Sequence, residues 1–433
     1  MGSEGAGGAV QETVAALKTV FRNDDLRRLN LAYPVSAVGD WAYATAITVW
    51  IFGVAGASGV AVFGAARLGL MAVLAPFAST LADRFNRKHV MVLSDLIRAV
   101  LIGVVAAGIF LEVAPAPIFV LLALASMAGL PFRPAQAALV PSLVNEPIEL
   151  TAANGTTNTL ESVSFFVGPA VAGVLLTFAS VPAVLVVNVL TFLWSMALVM
   201  RIESPARAEA PATEMASVAA VGGGDLTGPE SVGAANEQVA DPDKSSFLAD
   251  SAAGFRFIWA HSDLRMVTAM YGAQTLVAGA SLVFGILLAV QFGLGPEGVG
   301  YLDSALGVGA VLGGLLAISR GSKNRLGWDF GWGVIFWAVP LVIMALAPQV
   351  AVGFLAMAII GGANPVADIN ASTILQRLTP DEVMGRVFGA LESFLIASMA
   401  VGALIMPVLV DAFGLRWALG LVGAAVVLVI LSG

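Results

Sequence analysis

Residues 79–88, which lie between two long apolar segments, read STLADRFNRK. Four of these ten residues are charged, and charged side chains are unstable in hydrocarbon. A tight charged turn between two membrane-spanning helices must therefore sit at the membrane surface, where it can bind the ends of neighbouring helices. The stretch predicts a protein with several spans and a charged latch at one face of the membrane.

The composition places the whole chain in a bilayer. Its 433 residues are 58% hydrophobic and only 12% charged, with a mean hydropathy of +0.91. A water-soluble protein of this length is excluded. The absence of cysteine excludes disulfides and thiolate chemistry, and His89 and His261 are too far apart to indicate a metal site. We expect no metal and no enzyme activity.

Apolar stretches of about twenty residues, the length that crosses a bilayer, recur along the chain. They predict an all-α integral membrane protein with twelve transmembrane helices in two six-helix bundles. The predicted spans are residues 31–54, 57–81, 90–112, 117–140, 151–178, 180–200, 264–291, 297–319, 327–347, 349–375, 387–410 and 416–433.

A polar region divides these spans six plus six. We expect an N-terminal segment at residues 1–30, a first bundle at 31–200, a linker at 201–263 and a second bundle at 264–433. Glycine, alanine, proline, serine and acidic residues dominate the linker, which predicts a flexible tether that ends in a short interfacial helix.

Basic residues concentrate on one side of the predicted membrane. Because Lys and Arg beside short loops are retained in the cytoplasm, both termini and the linker are predicted to be cytoplasmic. The opposite loops carry only Arg416. The basic side carries Lys18, Arg22, Arg27, Arg28, Arg84, Arg87, Lys88, Arg201, Arg207, Lys244, Arg256, Arg320, Lys323, Arg325, Arg377 and Arg386.

A short repeat supports the division into two related halves. Residues 160–162 and 391–393 both read LES, in the fifth and eleventh predicted spans. A similar stretch precedes each, LVP at 139–141 and LTP at 378–380. Equivalent positions in two parallel halves are expected where the halves enclose a site near the middle of the bilayer.

The opening stretch resembles a motif of the major facilitator superfamily, a Gly-x-Leu-Ala-Asp-Arg-x-Gly-Arg-Lys pattern between the second and third helices. Ser79 and Asn86 replace the two glycines. The resemblance implies a transporter with alternating access, in which this loop is a cytoplasmic gate. The residues that it assigns to the gate are Asp83, Arg84, Arg87 and Lys88, with Arg98 or Arg133 as partners of Asp83.

Two further stretches resemble motifs of this superfamily. Residues 133–137, RPAQA, are similar to an Arg-x-x-Gln-Gly motif whose arginine is associated with proton coupling. The fifth span is similar to the antiporter motif of exporters, with generic packing of small residues as the alternative. Its matching residues are Gly155, Ser164, Gly168, Pro169, Ala172 and Gly173.

Acidic residues inside spans are candidates for proton transfer, because a carboxylate in hydrocarbon is costly and usually marks an ion path. Asp40 is the first candidate, and Arg133 and Glu161 complete the predicted coupling set. Arg133 or a cationic substrate near Asp40 would favour its charged form, so proton and substrate would bind in turn. The alternative is that Asp40 is a fixed ion-pair partner of Arg67 or Arg133.

Four other charged residues within spans are assigned to a substrate cavity. They are Arg67, Asp303, Asp368 and Glu392. For Arg67, an ion pair with Asp40 is favoured over contact with an anionic substrate. Asp95 and Arg98, three residues apart on one helix face, are predicted to tie the third span to the gate.

Within the superfamily, several stretches resemble the branch that holds the enterobactin exporter and macrolide efflux proteins. They are residues 83–87, 94–98, 132–135, 376–378 and 385–387. The branch implies proton-driven export of a hydrophobic or amphipathic small molecule, such as a drug or a siderophore, across a bacterial cytoplasmic membrane. The expected partners are that substrate and the lipid bilayer, without nucleic acid, a cofactor or a second subunit.

Other functions compete with this interpretation. An ATP-driven pump is disfavoured because the chain has no Gly-x-x-x-x-Gly-Lys-Ser/Thr phosphate loop. An importer and a lipid or lysophospholipid transporter stay open. A further alternative is a sensor that moves nothing and signals through a cytosolic partner or a domain beyond residue 433.

Overall fold

A computed structural model describes residues 22–144, 147–203, 254–320 and 326–432 of the chain. In these ranges the regular structure consists of α-helices and two short 3-10 turns. The predicted N-terminal segment up to residue 21 and most of the predicted linker, residues 204–253, lie outside the described residues.

The apolar stretches form helices because a helix satisfies all its backbone hydrogen bonds without water. Every predicted span coincides with helical structure. The helices are Asp24–Arg84, Arg87–Phe110, Pro115–Gly129, Phe132–Leu139, Pro147–Phe178, Val181–Met200, Ser262–Gln291, Val299–Arg320, Leu326–Leu346, Val350–Leu378 and Asp381–Ser432. Residues 254–260, at the end of the predicted linker, are also helical.

Two of these helices are too long for one crossing, and each is broken at a glycine. Gly56 has φ 65° and Gly414 has φ 78°, a left-handed backbone that other residues rarely adopt. Each break falls between two predicted spans. With each long helix counted as two, the described ranges hold twelve spanning segments.

Two helices differ in detail from the predicted spans. The first helix begins at Asp24 and not near residue 31, because the Asn23 side chain caps it by accepting hydrogen bonds from the backbone N–H of Asp25 and Leu26. The fourth span is interrupted after Gly129 and resumes at Phe132, around a proline at position 131.

The direction of the spans defines two ends of the bundle. We call the end that holds residues 22–28, 84–89 and 201–203 the basic end, and the opposite end, with the turns at Gly56 and Gly414, the far end. The first span packs on the fifth and sixth, and the third packs on the sixth. In the second half the seventh packs on the eleventh and the eighth on the tenth.

The two halves meet closely at the far end, along the fifth and eighth spans. The hydroxyls of Thr177 and Tyr301 are 2.8 Å apart. A Cβ atom on Gly300 would lie 2.5 Å from the carbonyl oxygen of Pro169 and 2.8 Å from the backbone nitrogen of Gly173. Only glycine fits there, so these contacts close the bundle at the far end.

We expect Gly300→Leu to disfavour this closed arrangement, because overpacking a tight contact costs about 1–3 kcal/mol. The chain has no cysteine, so a single Thr48→Cys reporter in the first span can be labelled without removing others. Labelling by a membrane-impermeant maleimide added at the far side should become severalfold faster. Gly331→Leu is the control, since nothing lies within 4 Å of a Cβ built there; equal rates in the two variants would contradict the prediction.

Candidate functional site

A cavity of about 600 Å³ lies between the spans of the first half. The first six spans supply nearly all of its lining, and Leu282 and Met399 are the second half's contribution. Its volume falls in the range of small-molecule sites. Its aromatic lining residues are Tyr33, Trp41, Tyr43, Phe63, Phe132 and Phe192.

The deepest charged group of this cavity is Arg98 on the third span. It forms an ion pair with Asp40 of the first span, and its Nη1 lies 3.7 Å from Oδ1 of Asp95, one turn away on its own helix. The guanidinium also stacks 3.9 Å over the ring of Phe192 from the sixth span. Asp95 is fully buried, whereas 38% of the Asp40 side chain is exposed to the cavity.

The break in the fourth span makes room for this arginine. A Cβ on Gly129, the last residue before the break, would lie 3.2 Å from Nε of Arg98. On the same helix face, Ser94 donates to the carbonyl oxygen of Ala128 at 2.6 Å and fixes the third span against the fourth. The local backbone therefore positions Arg98 between its two carboxylates.

A second charged pair lies nearer the basic end. Arg133 of the fourth span forms an ion pair with Glu161 of the fifth and donates to the hydroxyl of Tyr33 at 2.7 Å. All three side chains line the cavity. Glu161 belongs to the LES repeat, so the repeat marks a residue of the site.

The predicted partners of Asp40 were wrong. Its ion-pair partner is Arg98, and neither Arg67 nor Arg133 holds it. Arg67 lines the cavity, but its Nε is buried without a hydrogen-bond partner, and no carboxylate pairs with it among the residues that the structure describes. Sequence reasoning also missed Tyr33, although its position seven residues before Asp40 places both on one helix face.

Basic residues of the charged turn cap helix ends inside the first half. Arg87 donates to the carbonyl oxygen of Ala138 at 2.7 Å, and Lys88 donates to that of Ile202 at 2.6 Å. Cations at the carboxyl ends of helices are favourable. Arg84 is exposed, and the surroundings of the Asp83 side chain lie outside the described part of the structure.

The assignment of Arg98 to this gate needs correction. The residue lies eleven positions into its helix, about 16 Å from the charged turn at 1.5 Å per residue, and its contacts are those of the cavity. Its spacing from Asp95 did predict their proximity, since both sit on one face of the third span. A three-residue spacing cannot show how deep the pair lies.

The residues that resemble the antiporter motif place the fifth span between two neighbours. Ser164 donates to the carbonyl oxygens of Leu160 at 2.8 Å and of Pro34 at 3.2 Å. A Cβ on Gly168 would meet the first span at Trp41, and Pro169 and Gly173 contact the eighth span at Gly300. Gly155 lies in this helix, but its surroundings are not described.

Three predicted cavity residues lie elsewhere. Asp303, Asp368 and Glu392 are absent from the lining of the described cavity, because the second half contributes only two apolar side chains to it. Asp368 accepts hydrogen bonds from Asn364 at 2.9 Å and from Gln274 at 3.3 Å, in a separate polar cluster of the seventh and tenth spans.

A two-half bundle of twelve spans around a charged cavity defines a membrane transporter. Residues 29–331 match the Major Facilitator Superfamily, and the chain belongs to this family. It is a transporter and not an enzyme.

Two exporters are among the proteins with a similar sequence. Macrolide efflux protein A of Streptococcus pyogenes is 24% identical over 350 residues, which are 80% of this chain and 79% of that protein. The enterobactin exporter EntS of Escherichia coli O81 (strain ED1a) is 27% identical over 154 residues, 36% of this chain and 37% of that protein.

Solved structures share the fold. The nucleoside transporter NupG superposes with a TM-score of 0.71 at 14% identity, covering 95% of this chain and 98% of that chain. A bacterial homologue of the iron transporter ferroportin, in an inward-facing state, gives a TM-score of 0.67 at 15% identity with the same coverage.

We expect Arg98→Gln to destabilise the protein by about 3–5 kcal/mol, because it leaves two carboxylates without their cation in a low-dielectric site. Asp40→Asn should cost much less, since Arg98 keeps Asp95. The midpoint of thermal unfolding in detergent measures both effects, with the exposed Arg377→Gln as the control. A midpoint of Arg98→Gln equal to that of the control would refute the assigned role.

Proposed function

We propose that this transporter exports a hydrophobic or amphipathic small molecule in exchange for protons, by alternating access in a bacterial cytoplasmic membrane. The aromatic and aliphatic lining of the cavity suits an apolar substrate body, and its charged pairs suit proton exchange. The names of the efflux relatives support the direction of transport.

The observation that carries the proposal is the position of Arg98 between Asp40 and Asp95. While Asp40 is charged, it holds Arg98 and joins the first span to the third. A proton on Asp40 removes that attraction, and the guanidinium then turns to Asp95, 3.7 Å away. One proton thus exchanges a contact between two spans for a contact within one span.

The Arg133 and Glu161 pair offers a second site of the same kind. It joins the fourth span to the fifth, and 33% of the Glu161 side chain is exposed, so protons can reach it from the cavity. A proton on Glu161 would release Arg133 to its remaining partner, the Tyr33 hydroxyl. We assign the coupling set to Asp40, Arg133 and Glu161, with Arg98 as the partner that responds to Asp40.

Alternating access follows from where the halves meet. On this proposal the basic end faces the cytoplasm, because basic loops are retained there. The contacts of Thr177 and Gly300 with their neighbours then close the outer face, and the cavity takes substrate from inside. We assign the gate to Asp83, Arg84, Arg87 and Lys88. Of these, Arg87 and Lys88 hold helix ends of the first half, which lets that half move as one body.

The proton gradient supplies sufficient energy for such export. One charge moved across 100 mV is worth about 2.3 kcal/mol. Since each 1.4 kcal/mol corresponds to a factor of ten, one proton per cycle supports a substrate gradient of roughly fiftyfold. No cofactor is required.

The test is efflux from reconstituted vesicles with and without an imposed proton gradient, using lipophilic cations, macrolides and siderophores. We expect gradient-dependent flux in the wild type and at least a tenfold loss in Asp40→Asn, because a neutral amide cannot exchange a proton. Asp411→Asn is the matched control, since that acid is exposed and lies away from the cavity.

Other outcomes would redirect or end the proposal. Loss of coupling in Glu161→Gln with an unaffected Asp40→Asn would move the proton to the second pair. Flux that is independent of the gradient would refute antiport. Movement of labelled lysophospholipid with no flux of the other compounds would favour the lipid transporter.

A further inference from the structure

Arg67 is a cation of the cavity for which the described residues supply no counter-charge. It lies on the second span, eleven residues beyond the turn at Gly56, or about 16 Å along the helix from the far end. At this depth it is surrounded by hydrocarbon-spanning helices, where an uncompensated charge costs several kcal/mol. Its Nε is buried and makes no hydrogen bond to any group that the structure describes.

The cavity lining contains more arginines than carboxylates, and Arg67 is the arginine without an ion-pair partner among them. Three arginines and two carboxylates line it. Asp40 forms an ion pair with Arg98, and Glu161 forms an ion pair with Arg133. Asp95, the buried acid next to the cavity, also lies against Arg98. Arg67 is therefore the arginine left over.

Apolar side chains of the second span line the cavity on either side of Arg67 in the sequence. The side chains of Phe63, Leu68 and Met71 on the same helix line the cavity around it. One turn before Arg67, the second span approaches the second half, since a Cβ on Gly64 would lie 3.6 Å from Leu282. A ligand held by Arg67 would have its apolar part against these side chains, close to the seam between the halves.

We propose that Arg67 binds an anionic group of the substrate, a carboxylate or a phosphate attached to an apolar body. A guanidinium offers a planar fork of donors that matches both groups and binds them bidentately. The anion would supply the missing counter-charge, so ligand binding removes the cost of the uncompensated cation. This inference rests on the cavity being the substrate site of the proposed transporter.

The test is equilibrium binding to the purified full chain in detergent, without any proton gradient. The probes are 1-naphthaleneacetate, its neutral amide and 1-naphthyl phosphate, which share one ring system and differ in charge. We expect the wild type to bind the two anions at least tenfold more tightly than the amide. Arg67→Gln should remove this preference without changing the affinity for the amide, and Arg67→Lys should keep part of it.

Thermal unfolding separates a binding residue from a structural one. Without ligand, Arg67→Gln should unfold at the wild-type temperature or above it, because the change leaves no carboxylate unpaired. Arg133→Gln should unfold at a lower temperature than the wild type, because the substitution leaves the Glu161 carboxylate without its cation. A lowered midpoint in Arg67→Gln, or equal loss of affinity for acid and amide, would overturn the proposal.

A competition arm identifies the source of the anion. Displacement of naphthyl phosphate by lysophosphatidate, with no binding of the carboxylate, would assign the site to a lipid phosphate. Binding of both small anions without that displacement would assign it to a soluble substrate. A wild type that prefers neither anion over the amide would overturn the proposal, whereas intact anion binding with gradient-independent flux would refute only proton coupling.

Discussion

A charge inside a bilayer is costly unless a partner or a water-filled cavity compensates it. In the first half this constraint ties the spans together. Arg98 joins the first and third spans through Asp40 and stacks on the sixth through Phe192. Arg133 and Glu161 join the fourth and fifth. Both ion pairs line the cavity. The charged groups that stabilise the first half are therefore also the charged groups of the candidate site.

The second half shows a different solution to the same constraint. Asp368 is held by neutral amides of Gln274 and Asn364. The eighth and tenth spans of this half approach so closely that a Cβ on Gly309 or Gly361 would collide with the backbone of the opposite span. Close backbone packing of this kind leaves no room for a side chain between the two spans. On the proposed mechanism, the first half exchanges protons and the second half supplies a closely packed partner.

Hydropathy predicted the twelve spans because each span must be apolar along its length. The helix breaks at Gly56 and Gly414 lie in the short gaps between consecutive predicted spans. The partner of Asp40 could not be predicted, because spacing along a helix does not say which neighbouring helix faces it. For the same reason Asp368 was misplaced: a span that is apolar all round carries no periodic signal of its inner face. The start at Asp24 was missed because a capped polar turn has no hydropathy signal.

The proposed alternating access requires the two halves to move relative to each other, and the contacts within and between the halves oppose or permit that movement. Removing one partner of a fully buried ion pair costs about 3–5 kcal/mol. The pairs of the first half are partly exposed to the cavity, so breaking them costs less. The contacts between the halves include one hydroxyl pair, Thr177 with Tyr301, and close packing at Gly300 and Gly307. A single neutral hydrogen bond contributes only about 1 kcal/mol. On the proposed mechanism, a change of partner at Arg98 inside one half would bias the contact between the halves.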